Sequence, residues 1–402
     1  MMDTAFSRRS FFRLAAAASA AAALPILSES DFAYAASVKR FRWELPPPPG
    51  AIRINANENP LGPSKAACNE IISLTCEGGR YDFFRTQKLV STFSEMEGLK
   101  PGYVIAYAGS TNPLHYTVLA YTSKEKSYVT ADPGYEAGMR AATLNGAKII
   151  KVPLAADHAH DVRAMVAADP NAGVLYICNP NNPTGTITSK EQIDWAVANK
   201  PKDSILLIDE AYIHFSDAVS SIDLVKADKN VIVLRTFSKI YGMAGMRCGF
   251  AIGRPDLLEK LSYFGMNANP IMAVSAATVS LQDKTLVQAR KKINADIRSE
   301  TFAWLEKNNY KYIPSQSNCF MLYAGRPGQE MMAAMAQRNV FIGRVWPIMP
   351  NWVRITVGTS SEMEKFQAAW HQAMQAPAAA TAGLEPPKLP AELVRTPYTH
   401  LS

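Results

Sequence analysis

The chain has 402 residues, of which 48% are apolar and 19% charged, a balance that suits one large subunit of two closely packed domains. Its formal charge of +7 is spread without a dense Lys/Arg block, which speaks against a nucleic-acid-binding surface. No stretch is long and apolar enough to span a bilayer as a helix of the mature chain. The five cysteines, Cys68, Cys76, Cys178, Cys248 and Cys319, form no CxxC pair and no metal-ligand spacing, so they read as buried thiols rather than a disulfide framework or a metal centre.

The first residues read as an address. Ser7-Arg8-Arg9-Ser10-Phe11-Phe12-Arg13 precedes a weakly apolar, alanine-rich run at 14–23, and Ala33-Tyr34-Ala35 follows as a small-x-small cleavage site. Basic start, apolar middle and small-residue end, in that order, make a secretory leader. The paired arginines before two phenylalanines resemble the twin-arginine export signal. The expectation is a leader at 1–35, export of the folded protein to the periplasm with only transient membrane contact, and a mature chain beginning near Ala36.

Pro46 to Pro49 form a stiff lead into the folded body. Short apolar runs at 104–108, 127–130, 148–152, 174–178, 205–208, 231–234 and 248–252 then alternate with helical segments. Their unbroken apolar character predicts strands covered on both faces, and the alternation predicts a mainly parallel α/β sheet. A long helix is predicted over 286–307, leading to a smaller α+β region with strands at 319–323 and 353–357. After Gln375 the chain is rich in Ala and Pro and reads as a tail. The expected division is a leader (1–35), an N-terminal segment completing the small domain (36–74), a large domain (75–270), a small domain (271–375) and the tail (376–402).

Three segments carry chemistry. Asn179-Pro180-Asn181-Asn182-Pro183-Thr184-Gly185 follows an apolar run; its Asn-Pro steps and glycine force a sharp turn that projects the Asn182 amide. Ile205-Leu206-Leu207-Ile208-Asp209-Glu210-Ala211-Tyr212 ends a strand in an acid, at the edge where open α/β sheets place ligands. An acid there suits a protonated ring nitrogen, and Tyr212 suits a phenolic oxygen on the same ring. In Arg235-Thr236-Phe237-Ser238-Lys239-Ile240-Tyr241-Gly242-Met243-Ala244-Gly245-Met246-Arg247 a lysine leaves a strand beside a serine, with an arginine eight residues on. Burial near a cationic site lets such a lysine shed its proton and attack a carbonyl, while Ser238 and Arg247 suit a phosphate.

Together these segments resemble the fold-type-I enzymes that use pyridoxal phosphate (PLP), and most specifically the histidinol-phosphate aminotransferase branch. Asn55-Ala56-Asn57-Glu58-Asn59-Pro60-Leu61-Gly62-Pro63-Ser64 resembles the family's opening, Gly109-Ser110-Thr111-Asn112 its phosphate loop and Arg354-Ile355-Thr356-Val357-Gly358-Thr359 its close. The resemblance covers about 55–375 and implies a PLP-dependent aminotransferase with a large mainly parallel-sheet domain and a smaller α+β domain. By similarity Lys239 carries the cofactor and then acts as acid and base, Asp209 pairs with the ring nitrogen, and Asn182 and Tyr212 hold the ring oxygen. Ser110, Thr111, Ser238 and Arg247 hold the phosphate, and Tyr135 stacks on the ring. Tyr81 reaches the phosphate of a neighbouring subunit, which implies a homodimer with shared active sites. Arg354, with Asn182 and Asn57, faces the acidic group of the substrate, and Arg344 is a candidate for a second positive charge or a surface residue. The phosphate loop lacks the two acids usual in the family. An exported enzyme would be misplaced for histidine synthesis, so an amino acid or related amine as donor and a 2-oxo acid as acceptor lead. Histidinol phosphate, a decarboxylase or oxidase on the same fold, and a non-catalytic PLP-binding protein are the alternatives.

Overall fold

The structure, a computed structural model, describes residues 48–265 and 268–375; the expected leader and the tail lie outside the described residues. Twelve strands are present among them: β1 (Ile52–Ile54), β2 (Val104–Tyr107), β3 (Ser127–Asp132), β4 (Ile149–Pro153), β5 (Ala172–Cys178), β6 (Ile205–Asp209), β7 (Val231–Thr236), β8 (Gly249–Gly253), β9 (Tyr312–Ile313), β10 (Cys319–Tyr323), β11 (Val340–Ile342) and β12 (Trp352–Thr356). Seven build one sheet in the order β2-β8-β7-β6-β5-β3-β4. The β3–β4, β3–β5, β5–β6 and β6–β7 pairs are parallel, and β8 runs against both β2 and β7.

The seven apolar runs of the sequence are the seven strands of this sheet, displaced at their ends by a residue or two. Every residue of β5, β6, β7 and β8 is buried, as expected of strands covered on both faces. The helix Ile271–Gln282 is buried on nearly all sides and packs against the helices Lys65–Leu74 and Phe83–Glu97, so its all-round apolar character belongs to the interior.

A second core gathers Phe320, Leu322, Val353, Ile355, Phe366 and Trp370. It is framed by the antiparallel sheet β12-β10-β9, by the parallel pair β1-β11, and by the helices Leu286–Lys307, Gly328–Ala336 and Ser360–Gln375. Ile52 and Ile54 of β1 are buried in this core, so the start of the described chain joins its end. Strands β1, β9 and β11 have only two or three residues, too few to show a period.

The register of the large sheet sets the site. Cys178 pairs with Asp209 and Asp209 with Leu234, so β5, β6 and β7 end level and their three following loops leave one edge. A buried ion pair ties two of those ends together: Arg235 Nε donates to Glu210 Oε2 at 2.7 Å, and Arg235 Nη2 to Ser220 Oγ at 2.8 Å. Glu210 Oε1 accepts from the Ser221 amide at 2.6 Å.

Candidate active site

At that edge lies a cavity of about 290 Å³, lined by nine of the thirteen residues singled out in the sequence: Ser110, Thr111, Tyr135, Asn182, Asp209, Tyr212, Ser238, Lys239 and Arg247. Residues from five loops meet there, those that follow β2, β3, β5, β6 and β7 of the one sheet. Ala56, Glu58, Cys178, Ala211, Thr236, Ala244 and Gly245 complete the lining. Cys178 and Ala211 flank the chemical motifs and had no polar signal of their own; Glu58 lies within the Asn-rich opening but was not distinguished from its neighbours.

Lys239 is only 5% exposed, with Nζ 5.3 Å from the centre of the Tyr212 ring. Its loop is fixed by backbone bonds from Gly242 N to Lys239 O and from Met243 N to Phe237 O, both 3.0 Å. Two side chains from elsewhere pin the next carbonyl: Arg290 Nη1 and Asn59 Nδ2 donate to Ile240 O at 2.9 and 3.0 Å.

One end of the cavity is built for an anion. Arg247, in a left-handed conformation with φ 60°, donates from Nη1 to Ala244 O at 3.0 Å and to Ser238 Oγ at 3.4 Å. Its guanidinium lies over Gly109, where an added Cβ would collide with it, and Gly109 itself has φ +87°; only glycine satisfies both conditions. Ser110 stands at the N-terminus of the helix Thr111–Tyr121 without spending its side chain on a cap bond. A guanidinium, two hydroxyls and the first amides of a helix converge, which is the donor set of a phosphate site.

At the other end sits Asp209, 3% exposed. Its Oδ1 accepts from the Ala211 amide at 3.1 Å and its Oδ2 from the Tyr176 hydroxyl at 3.0 Å. Tyr176 had read only as one apolar residue of a buried run.

The remaining expected residues stand around the cavity rather than in its wall. Arg354 is buried, donating from Nη1 to Asn182 Oδ1 and from Nη2 to Asn55 O, each at 2.8 Å. Asn57, in a left-handed conformation with φ 53°, donates from Nδ2 to Tyr212 Oη at 3.1 Å. Thr356 Oγ1 receives the Asn57 amide at 2.9 Å and donates to Asn57 Oδ1 at 3.1 Å, so Asn57 links β12 to the tyrosine. Tyr81 is 84% exposed and outside the cavity wall.

Arg344 is not a surface residue. It is buried and paired with Glu136, Nη2 to Oε2 2.9 Å. Its guanidinium covers the Trp346 ring at 4.2 Å, with Arg354 5.7 Å from the same ring. Trp346 Nε1 donates to Gly134 O at 3.0 Å, beside Tyr135. Neither Glu136 nor Trp346 was singled out in the sequence, because their partners are distant along the chain.

Residues 52–369 match the family described as aminotransferase class I and II. The chain is 31% identical over 330 residues to the histidinol-phosphate aminotransferase of Symbiobacterium thermophilum, covering 80% of this chain and 90% of that protein. It is 32% identical over 327 residues to the aromatic amino acid aminotransferase of Rhodococcus jostii, covering 80% and 89%. Among solved structures, the histidinol-phosphate aminotransferase of Sinorhizobium meliloti in complex with pyridoxal 5'-phosphate is similar at a TM-score of 0.74 and 25% identity, over 81% of this chain and 91% of that one. A buried lysine, a buried acid and an anion cradle around one cavity, on a sheet of this order, agree with these likenesses: the chain belongs to the aminotransferase class I and II family and is a pyridoxal-phosphate-dependent aminotransferase.

Proposed function

We propose that this enzyme moves the amino group of an amino acid with one carboxylate and an uncharged side chain to a 2-oxo acid, and that it works as an exported homodimer. What carries the reading is the closure of three kinds of group on one cavity: the Lys239 amine, the Asp209 carboxylate, and the Arg247–Ser238–Ser110 cradle. These fit pyridoxal phosphate, whose anionic, basic and carbonyl ends need those partners. Arg247, Ser238, Ser110 and Thr111 would hold its phosphate, Asp209 its ring nitrogen, Asn182 and Tyr212 its ring oxygen, and Tyr135 the ring face. When bound, the cofactor supplies a carbonyl for the amino group and an electron sink for the substrate α-carbon.

The chain's own work follows from its placement. Lys239 Nζ, enclosed and fixed by its pinned loop, moves the proton at the substrate α-carbon. Asn57 holds the Tyr212 hydroxyl in orientation. Arg354 donates to the oxygens of Asn182 and Asn55, which fix the plane of a guanidinium suited to a substrate carboxylate. Arg344 faces the carboxylate of Glu136, which supports a charge committed within the protein. That favours a donor with one acidic group over one with two; histidinol phosphate, which has a phosphate and no carboxylate, is set aside on the export reading alone.

Tyr81, Phe83 and Phe84 are 84, 67 and 82% exposed, and Ile72 on the preceding helix is 72% exposed. Arg85 braces the loop that presents them, with ion pairs of 2.9 Å to both Asp82 and Glu77. Aromatic side chains held rigidly in water mark an interaction surface, and a second copy of this chain is the occupant we propose, with Tyr81 entering the neighbour's site. The Arg8-Arg9 leader supports export of the folded enzyme.

Four outcomes are expected. Lys239→Ala should abolish turnover and the visible absorption band of bound cofactor, while Asp209→Asn keeps the cofactor and loses most activity; a Lys239→Ala variant retaining both properties sinks the assignment.

With a 2-oxo acid acceptor, an aromatic or apolar amino acid should exceed histidinol phosphate in kcat/KM by roughly tenfold or more. Arg354→Lys should cost that amino acid about 1.5–3 kcal/mol, or one to two decades in kcat/KM. Preference for histidinol phosphate would reverse the substrate proposal, and an equal loss with a carboxylate-free amine would make Arg354 structural.

Sedimentation should give a dimer, and mixing inactive Lys239→Ala with impaired Tyr81→Ala subunits should restore part of the activity by completing one site in each mixed dimer. No recovery despite proven mixed dimers rules out shared sites.

Replacing Arg8 and Arg9 by lysine should leave uncleaved, cofactor-loaded protein in the cytoplasm, since the export receptor reads guanidinium pairs. The native sequence fractionating there uncleaved would refute export.

A further inference from the structure

We propose that Tyr176 is a positioning residue acting through Asp209: its hydroxyl, 3.0 Å from Oδ2, holds the carboxylate ionised and aimed at the cofactor's ring nitrogen. This rests on the function proposed above and adds a residue to it.

The strand geometry explains the reach. Tyr176 lies two residues before Cys178 on β5, so the two share a sheet face, and Cys178 pairs with Asp209 on the neighbouring strand β6. Two residues along a strand span about 6.6 Å, roughly the length of a tyrosine side chain. A ring laid along the sheet from Tyr176 therefore ends beside Asp209. Tyr128 on β3 packs against it, ring centres 6.2 Å apart, and Tyr176 is 1% exposed. No shorter residue at position 176 would bridge the gap, and phenylalanine would fill it without a donor.

The electrostatics give the contact a direction. The titratable groups facing Tyr176 are Asp209, Cys178, Tyr128 and Tyr135; burial first, then the charge on Asp209, push its phenol well above the ordinary value of 10.0. The phenol keeps its proton and remains the donor. With the Ala211 amide on Oδ1, both carboxylate oxygens receive a hydrogen bond from within the chain. Both bonds stabilise the anion and make it a weaker base. A weaker base leaves the shared proton on the ring nitrogen, where it strengthens the electron sink.

Tyr176→Phe removes one oxygen and keeps the packing. The holoenzyme should lose about tenfold in kcat with KM within about twofold, the size expected for one hydrogen bond to a charged group. The pH midpoint of the bound cofactor's visible absorption should rise by roughly half a unit to one unit, because a less firmly protonated ring holds the nearby imine proton more tightly. In an Asp209→Asn background the same substitution should change neither quantity. Site-specific 3-fluorotyrosine, a stronger donor, should move the midpoint down, and this reading survives if Tyr176→Phe folds poorly. An unchanged midpoint and kcat in Tyr176→Phe, or an equal loss in the Asp209→Asn background, overturns the inference while wild-type titration and turnover leave the function intact. A wild type that takes up no cofactor overturns the function, and this inference with it.

Discussion

Asp209 and Lys239 leave adjacent parallel strands at the same edge of one sheet, and the cost of burying their charges governs what surrounds them. A lone carboxylate or ammonium removed from water loses several kcal/mol of hydration unless partners replace it. For Asp209 the replacement is built in: a backbone amide on one oxygen and a phenol on the other. Behind it the next residue, Glu210, is buried against Arg235, so two consecutive acids at the end of β6 are handled differently. Glu210 is committed to the frame, whereas Asp209 lines the cavity. The strand end thereby separates a structural charge from a chemical one by a single residue.

The anion end follows the same logic with the opposite sign. The hydrogen bonds of Arg247 go to neutral groups, the carbonyls of Ala244 and Ala108 and the hydroxyl of Ser238. Two acids usual to the family are missing from Gly109-Ser110-Thr111-Asn112, which leaves this end more positive. The close approach of Arg247 over Gly109 depends on backbone geometry, and that geometry survives the loss of the acids.

The large sheet was readable because its strands are covered on both faces, so 174–178, 205–208 and 231–234 show as apolar runs with no polar interruption. The lysine, the acid and the Asn-Pro turn were readable because each sits where such a run stops. What could not be read depends on register between distant segments. Tyr176 and Asp209 are 33 residues apart and Asn57 and Tyr212 are 155 apart; no local pattern joins them. Glu136 follows the readable Tyr135, yet its partner Arg344 approaches from the second core. The short strands β1, β9 and β11 were hidden for a different reason, since two or three residues cannot display an alternation.

The two arginines near Trp346 show how substrate preference follows from where counter-ions are placed. Both are buried, and both lie near the same indole. Arg354 is oriented by dipoles, an amide oxygen and a carbonyl, which fix its plane without cancelling its charge. Arg344 is oriented by a carboxylate, which does both. In the proposed function an anion entering beside Arg354 meets a guanidinium already oriented, whereas one approaching Arg344 must compete with Glu136 at 2.9 Å. Arg344 is buried and Glu136 partly so, so salt screens the pair weakly, and opening it would cost a pairing that water replaces only in part. A substrate with a second negative group would have to supply that energy from its own contacts, while a neutral side chain faces no such demand. In the proposed function, the carboxylate at position 136 commits one of the two arginines to the protein, which is the arrangement a donor with a single acidic group requires.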